Sequence, residues 1–303
     1  MFAIGLNGGI GMAQLQVELI VDARAALGEG PCWDHRSGLL HWVDIAGMRV
    51  HTYNPLTGED RYIQLDQMVG VAVPRLSGGM VAAMEHGLYL LDPETGTVSL
   101  VEDPESGLDN RFNDGKCDER GRFWAGTLSR KGRKQAGALY CLDAGGTVRK
   151  VIDGVTTSNG IGWSPDGRTM YFIDSPTKEV RAYSFDAKTG QLGDARTVVV
   201  IPADGGVPDG MTVDAEGMLW VAQWGGWQVS RWNPHTGEQL AAVPVPAAQV
   251  SSCAFGGAYL DELYITTARI GQSEEAMLKQ PHAGGVFRIK PGVAGLPAHF
   301  YAG

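Results

Sequence analysis

The sequence has little positive charge and no long apolar run. Its 25 Lys and Arg residues are outnumbered by 34 Asp and Glu residues, and the resulting net charge of -9 leaves no basic field to attract phosphate backbones or anionic lipid. No apolar run approaches the roughly 20 residues that a membrane-spanning helix needs. We therefore expect neither nucleic acid nor membrane as a partner.

Paired cysteines and the common catalytic signatures are also absent. The seven histidines form no HExxH motif, and no GxSxG turn is present for a serine nucleophile. The cysteines show no CxxC spacing, and most lie in apolar segments, which favours buried free thiols in a reducing compartment. These four residues are Cys32, Cys117, Cys141 and Cys253.

The N-terminal segment lacks the features of a secretory signal. MFAIGLNGGIGMAQ has neither a basic start nor a long apolar core. We expect residues 1–14 to be disordered or dispensable, with Met12 as an alternative start. A cytoplasmic location is the corresponding expectation.

Glycine is abundant and spread along the chain. Its 43 copies are about twice the usual share of roughly 7%, which is typical of turns between many short strands. A block of apolar strand, D/S-x-x-G turn and second apolar or aromatic strand occurs six times. Equivalent apolar positions, at intervals of about 40 to 50 residues, are Trp33, Val73, Cys117, Trp163, Val213 and Phe255.

This repeat predicts an all-β fold. The interval is typical of four-stranded propeller blades, so we expect one domain over residues 1–303: a six-bladed β-propeller around a central metal-binding channel. The segment LQVELIVDARA, before the first block, alternates like a strand. We expect it to pair into the last blade and remove an exposed edge.

Polar residues gather four positions before each apolar anchor. Equivalent positions of a propeller face the same end of the channel, and here they hold Glu29, Val69, Asn113, Asn159, Asp209 and Ser251. Two carboxylates and two amides converging there suit a hard cation such as Ca²⁺, Mg²⁺ or Mn²⁺, although Zn²⁺ and Fe²⁺ also accept oxygen ligands. The competing interpretation is that Asn159 and Asp209, each followed by Gly, cap turns.

Five segments resemble the SMP-30/gluconolactonase family, also called the regucalcin group. They are GEGPCWD (28–34), RFNDGKCDERGRFWAGT (111–127), SNGIGWSPDGRTMYFIDS (158–175), VPDGMTVDAEGMLWVA (207–222) and TTAR (266–269). The resemblance implies a six-bladed propeller, one divalent metal in the channel and, in many members, hydrolysis of aldonolactones. It also implies that Glu29, Asn159 and Asp209 are the metal ligands and that Arg111 and Asn113 contact substrate.

The chemistry expected of such a site is metal-dependent opening of a sugar lactone. A divalent metal can polarise the ester and acidify water, and Asp209 is the candidate general base as well as a ligand. Arg111 offers a planar fork for sugar hydroxyls or a developing carboxylate, although a surface salt bridge is its ordinary role. Two alternatives stay open: a hydrolase of other esters or organophosphates, and a non-catalytic metal-binding propeller.

Two further segments carry open interpretations. Best-known animal members of the family have an acidic residue in the loop after the AGT strand, whereas SRKGRKQAG here carries four cations, from Arg130 to Lys134. That loop is either a solvated charge run or a lid that attracts a polar or anionic lactone. Trp224 and Trp227 either form an aromatic wall for a sugar ring or pack within a blade.

Overall fold

The structure is a computed structural model that describes residues 17–303. The predictions for residues 1–14 and Met12 lie outside this range. No helix within it is long and apolar enough to cross a membrane.

Antiparallel strands in consecutive groups of four account for most of the chain. Strand β1 (Glu18–Val21) precedes the first group. The first group is β2 (Gly28–Asp34), β3 (Leu39–Asp44), β4 (Arg49–Asn54) and β5 (Glu59–Gln64). The second is β6 (Val69–Pro74), β7 (Met80–Met84), β8 (Gly87–Leu91) and β9 (Val98–Glu102). The third is β10 (Asn110–Cys117), β11 (Phe123–Ser129), β12 (Gly137–Leu142) and β13 (Val148–Val155). The fourth is β14 (Ser158–Trp163), β15 (Thr169–Asp174), β16 (Glu179–Asp186) and β17 (Gln191–Val200).

The remaining strands form one eight-stranded sheet together with β1. They are β18 (Val207–Val213), β19 (Leu219–Trp224), β20 (Gln228–Trp232), β21 (Gln239–Pro244), β22 (Gln249–Gly256), β23 (Glu262–Ala268) and β24 (Val286–Ile289). A single pairing, Trp224 with Gln249, joins β18–β21 to the group of β22–β24 and β1.

The first strands of these groups pack against one another in a closed ring. Strand β6 contacts β2 and β10, β14 contacts β10 and β18, and β22 contacts β18 and β2. An all-β chain of four-stranded sheets arranged around such a ring is consistent with a β-propeller.

The predicted closure by the N-terminal segment is confirmed. Strand β1 pairs antiparallel with β24, so the last group combines the two ends of the chain. The Arg288 guanidinium lies 2.7 Å from the Glu18 carboxylate across this pairing. The edge of β24 is therefore covered, as expected from the alternating pattern of the segment.

The aspartates of two D-x-x-G turns accept hydrogen bonds from buried tryptophans. The indole Nε1–H of Trp124 donates to the Asp118 carboxylate at 2.8 Å, and that of Trp220 donates to Asp214 at 2.9 Å. Both carboxylates are fully buried and also accept backbone N–H groups of their own turns. The Asp of these D-x-x-G turns thus fixes both the turn and the tryptophan of the next strand.

Two features of the chain reflect its local sequence. Helix α1 (Glu274–Lys279) was not predicted; Ser273 caps it by accepting from the Ala276 N–H, and acidic residues fill its first turn. All four cysteines are free and buried, which confirms the prediction of buried thiols.

Candidate metal centre and active site

The predicted polar positions lie in strands, at local breaks in strand pairing. The first strand of every group has a register shift at or next to its predicted position. These shifts lie at Glu29/Cys32, Val69/Val71, Phe112/Asp114, Asn159/Ile161, Pro208/Met211 and Val250/Ser252. A β-bulge redirects side chains, so the repeated shift gives the equivalent residues of the first strands a similar local geometry. Asn159 and Asp209 lie within β14 and β18 and not in turns, which contradicts the turn-capping interpretation.

The glycines after Asn159 and Asp209 allow neighbouring strands to approach closely. A Cβ on Gly160 would lie 2.8 Å from the Asp209 carbonyl oxygen, and one on Gly210 would lie 2.5 Å from the Ser252 Cβ. Neither glycine has a positive φ, so the requirement is space between strands. Close approach brings the side chains of adjacent groups together.

The structure brings Glu29, Asn159 and Asp209 to one point. All three are buried, and both Glu29 and Asn159 influence the pKa of the Asp209 carboxyl group, as close neighbours do. The Asn159 Nδ2 also donates to the Ser175 Oγ at 2.8 Å. Ser175, which follows β15, is a supporting residue that the sequence analysis missed.

Burial and like charge dominate the electrostatics of this point. Burial, and then repulsion by Asp209 and Asp114, raises the pKa of Glu29 well above its ordinary value. Burial and Asp114 likewise raise the pKa of Asp209. Asp114 is a third buried carboxyl group that the sequence analysis missed, although it belongs to the same NDG segment as Asn113.

Arg111 and Asn113 lie beside the carboxyl groups and contact each other. An Arg111 guanidinium N–H donates to the Asn113 Oδ1 at 2.8 Å, and the Asn113 Nδ2 donates to the Ser158 carbonyl oxygen at 2.9 Å. Burial lowers the pKa of Arg111 to about 10, and Glu29 is the largest opposing influence. Arg111 therefore remains a cation at neutral pH, and its contacts differ from those of a surface salt bridge.

The other two equivalent positions supply no free polar group. Val69 is apolar, and the Ser251 hydroxyl donates to the Gly28 carbonyl oxygen. The polar side of the ring therefore runs from Glu29 through Asn113 and Asn159 to Asp209.

The donor set at this point fits a hard divalent cation. Two carboxylates and an amide oxygen are ligands that such ions prefer, and a cation would relieve the repulsion between the buried carboxylates. Across residues 17–303, no three His, Cys, Asp or Glu side chains cluster closely enough to hold a metal. The predicted ligand set contains only two residues of these four types, Glu29 and Asp209. Its third donor is the amide oxygen of Asn159.

One residue of the basic loop, Arg130, lies near Arg111 of the candidate site. The Arg130 guanidinium pairs with the Glu85 carboxylate, and both groups influence the pKa of Arg111. Residues 131–135 are exposed, as in a solvated charge run. Trp224 ends β19 and Trp227 is 43% exposed in the turn that follows, which leaves both interpretations of this aromatic pair open.

Comparison with known proteins identifies the family of this chain. The sequence model of the SMP-30/Gluconolactonase/LRE-like region matches residues 27–269. The chain belongs to this family. The resemblance found in the sequence motifs is confirmed, and so is the all-β fold.

Relatives match the chain along nearly its whole length. Regucalcin of Danio rerio is 39% identical over 295 residues, covering 96% of this chain and 100% of the relative. A protein of Bacillus subtilis (strain 168), provisionally named sugar lactone lactonase YvrE, is 38% identical over 286 residues, covering 94% and 98%.

Solved structures of the family superpose closely on this chain. A regucalcin from Agrobacterium tumefaciens str. C58, described as a calcium-binding protein, has a TM-score of 0.90 at 31% identity and covers 95% of this chain and 97% of its own. A luciferin-regenerating enzyme has a TM-score of 0.89 at 31% identity, covering 95% and 99%.

Proposed function

We propose that this protein is a metal-dependent hydrolase that opens a sugar lactone to its aldonic acid. The observation that carries the proposal is the convergence of Glu29, Asn159 and Asp209 beside Arg111, in a chain of the gluconolactonase family. The same proposal includes a single domain with six blades, which the closed packing of six first strands supports.

The proposed metal ligands are Glu29, Asn159 and Asp209, which would hold one divalent cation. A cation bound there would supply Lewis acidity to the lactone carbonyl and to water. Arg111 is a cation that lowers the pKa of both buried carboxyl groups, Glu29 and Asp209. Which divalent ion the protein uses stays a matter for experiment, with Ca, Zn, Mg, Mn and Fe as candidates.

Asp209 is the proposed general base. Lactone opening adds the oxygen of water to the carbonyl carbon, breaks the bond to the ring oxygen and returns one proton to that oxygen. A carboxylate at Asp209 accepts the proton of the attacking water and can then pass it to the leaving oxygen. Burial beside Asp114 raises the pKa of Asp209, and a cation bound beside it would lower that pKa again and keep the group ionised.

Arg111 and Asn113 are the proposed substrate contacts. The guanidinium is half-buried and cationic, and it would present N–H donors to the negative charge that develops on the carbonyl oxygen or on the product carboxylate. Its bond to the Asn113 Oδ1 holds the planar group in place. Asn113 in turn is anchored on the Ser158 carbonyl oxygen of the next strand group.

A panel of lactones crossed with divalent metals tests this function. Metal-depleted protein is supplied with each ion, and acid release from gluconolactone, xylonolactone, arabinonolactone and galactonolactone is followed, with spontaneous ring opening subtracted. We expect one lactone to be opened faster than the others, and the activity to disappear on chelation and in Asp209→Ala.

Other outcomes of the panel would point elsewhere. Hydrolysis of a phosphotriester or simple ester without lactone opening would assign the site to a different hydrolase. Metal binding without hydrolysis of any substrate would indicate a non-catalytic propeller. The cytoplasmic location stays a prediction.

A further inference from the structure

A cavity of about 250 Å³ lies within the ring, beyond the proposed metal ligands along the first strands. All six apolar anchors of the repeat line it, each four residues beyond a polar position on the same strand. At about 3.3 Å per residue, these anchors lie roughly 13 Å along the strands from the polar positions. We call this space the lower chamber.

The wall of the lower chamber is mainly apolar. Besides the anchors it includes Val71 and Met211 and the thiols of Cys32 and Cys253. Burial raises the pKa of both thiols to about 12, so they stay protonated and behave as small apolar groups. An apolar cavity of about 150 Å³ is already large enough to bind benzene, so the lower chamber has room for a larger molecule.

One ammonium group lies in this apolar wall. The Lys116 Nζ donates to the Met211 carbonyl oxygen at 2.7 Å, and this lysine takes part in none of the ion pairs within residues 17–303. An ammonium has three N–H donors, which leaves two without a protein acceptor. Neither the metal ligands nor the proposed substrate contacts use this group.

Asp114 balances the charge of Lys116 in the same wall. It lines the lower chamber, and its carboxylate is the main influence that raises the pKa of Lys116 against the lowering effect of burial. Because Lys116 and Asp114 carry opposite formal charges, together they add no net charge to the wall. A free anion would gain from Lys116 but be repelled by Asp114 and by Glu119, which also lines the chamber, so the chamber favours a neutral molecule over an anion.

The C-terminal segment forms part of the wall. Residues 296–299 line the chamber, and the segment is anchored on both sides of them. Gly295 bridges to Asp214, and Tyr301 bridges to Arg75 while its hydroxyl donates to the Asp143 carbonyl oxygen at 2.8 Å. The segment therefore crosses this end of the ring and partly covers the cavity.

We propose that the lower chamber is a second ligand site, which binds a small neutral molecule with an apolar body and one hydrogen-bond acceptor. The apolar anchors contact the body, and the Lys116 ammonium donates to the acceptor. A small ketone or ester has this chemistry. None of the proposed metal ligands lines this site, and it does not depend on the proposed hydrolysis.

Three matched probes test this site on the full chain. Acetophenone carries an acceptor, ethylbenzene has nearly the same shape without one, and benzoate carries a charge. Binding is measured by calorimetry and by ligand-observed NMR. We expect acetophenone to bind about tenfold more tightly than ethylbenzene and than benzoate, since a hydrogen bond from a charged donor is worth about that factor.

Variants locate the binding and control for damage to the fold. Lys116→Met should bring the affinity ratio of acetophenone to ethylbenzene close to one, a change that loss of stability alone does not produce. Ala254→Leu fills part of the chamber and should weaken both probes. Asp209→Asn, at a residue that does not line the chamber, should bind all three as the natural protein does.

Clear results would overturn the proposal. They are no binding of acetophenone, equal binding of acetophenone and ethylbenzene to the natural protein, tighter binding of benzoate, or binding that survives Ala254→Leu unchanged. If Lys116→Met fails to unfold cooperatively, the Ala254→Leu comparison and the three-probe ranking on the natural protein decide the question.

Discussion

Replacing Asp209 by Asn should stabilise the metal-free protein at neutral pH. The Asp209 carboxyl group is buried, and burial and then repulsion by Asp114 raise its pKa. An acid whose pKa is higher in the folded state binds its proton more tightly there, so ionisation at higher pH destabilises the fold. The Asn side chain keeps the shape and polar contacts of Asp209 without the charge.

The expected gain is about 1–3 kcal/mol, which is the usual size of the penalty for desolvating a buried polar group without a compensating partner. At roughly 2 °C for each kcal/mol in a chain of this size, the midpoint of thermal unfolding rises by about 2–6 °C. The pKa of an unfolded Asp is about 3.9, so the gain should vanish near pH 4 and grow as pH rises toward the raised folded pKa.

Thermal unfolding in a chelating buffer, followed by circular dichroism at several pH values, measures this effect. Asp214→Asn is the matched control, because Asp214 is equally buried but accepts from Arg231 and Trp220, so its loss should destabilise the protein. A saturating divalent metal should reverse the order of natural protein and Asp209→Asn. A metal-free Asp209→Asn protein that is less stable than the natural one at pH 8 would refute the reasoning.

Three further predictions follow from named contacts. Arg111→Met should lower kcat/KM for the preferred lactone by about 10²-fold, and Arg111→Lys should also lower it because the planar fork is lost; steady-state kinetics checks both. Asp118→Ala should cost about 3–5 kcal/mol in urea unfolding, since it leaves Arg122 and the Trp124 N–H without their buried acceptor. Arg130→Ala should change KM by a few-fold at low salt, whereas Lys134→Ala, on the exposed part of the loop, should not; equal effects would contradict a role for the Glu85 pair.

Local sequence predicts the strand groups of this fold well. The six apolar anchors of the repeat all lie in the first strands of their groups, from Trp33 in β2 to Phe255 in β22. Turn residues and apolar patterns act within a few residues of each other, so a single sequence contains that information. The same holds for the pairing of β1 with β24, which the alternation of the N-terminal segment indicated.

The candidate site was only partly predictable. Register across the repeats singled out Glu29, Asn113, Asn159 and Asp209, and the family resemblance selected three of them as ligands, but the bulges at these positions depend on strand pairing. Asp114 acts on carboxyl groups of other strand groups, and Ser175 reaches Asn159 from the end of the neighbouring strand β15. The lower chamber was missed for a related reason: a single sequence identifies apolar positions but not the space left between them.

A metal titration tests the central claim most directly. Metal is returned stepwise to metal-depleted protein, and the rate of acid release is measured at each step. With the preferred lactone and spontaneous opening subtracted, the rate should start near zero, rise in proportion to added metal and level off at one equivalent. Asp209→Asn should stay inactive throughout. A full rate before any metal is added, or one that metal restores equally in Asp209→Asn, would contradict the account.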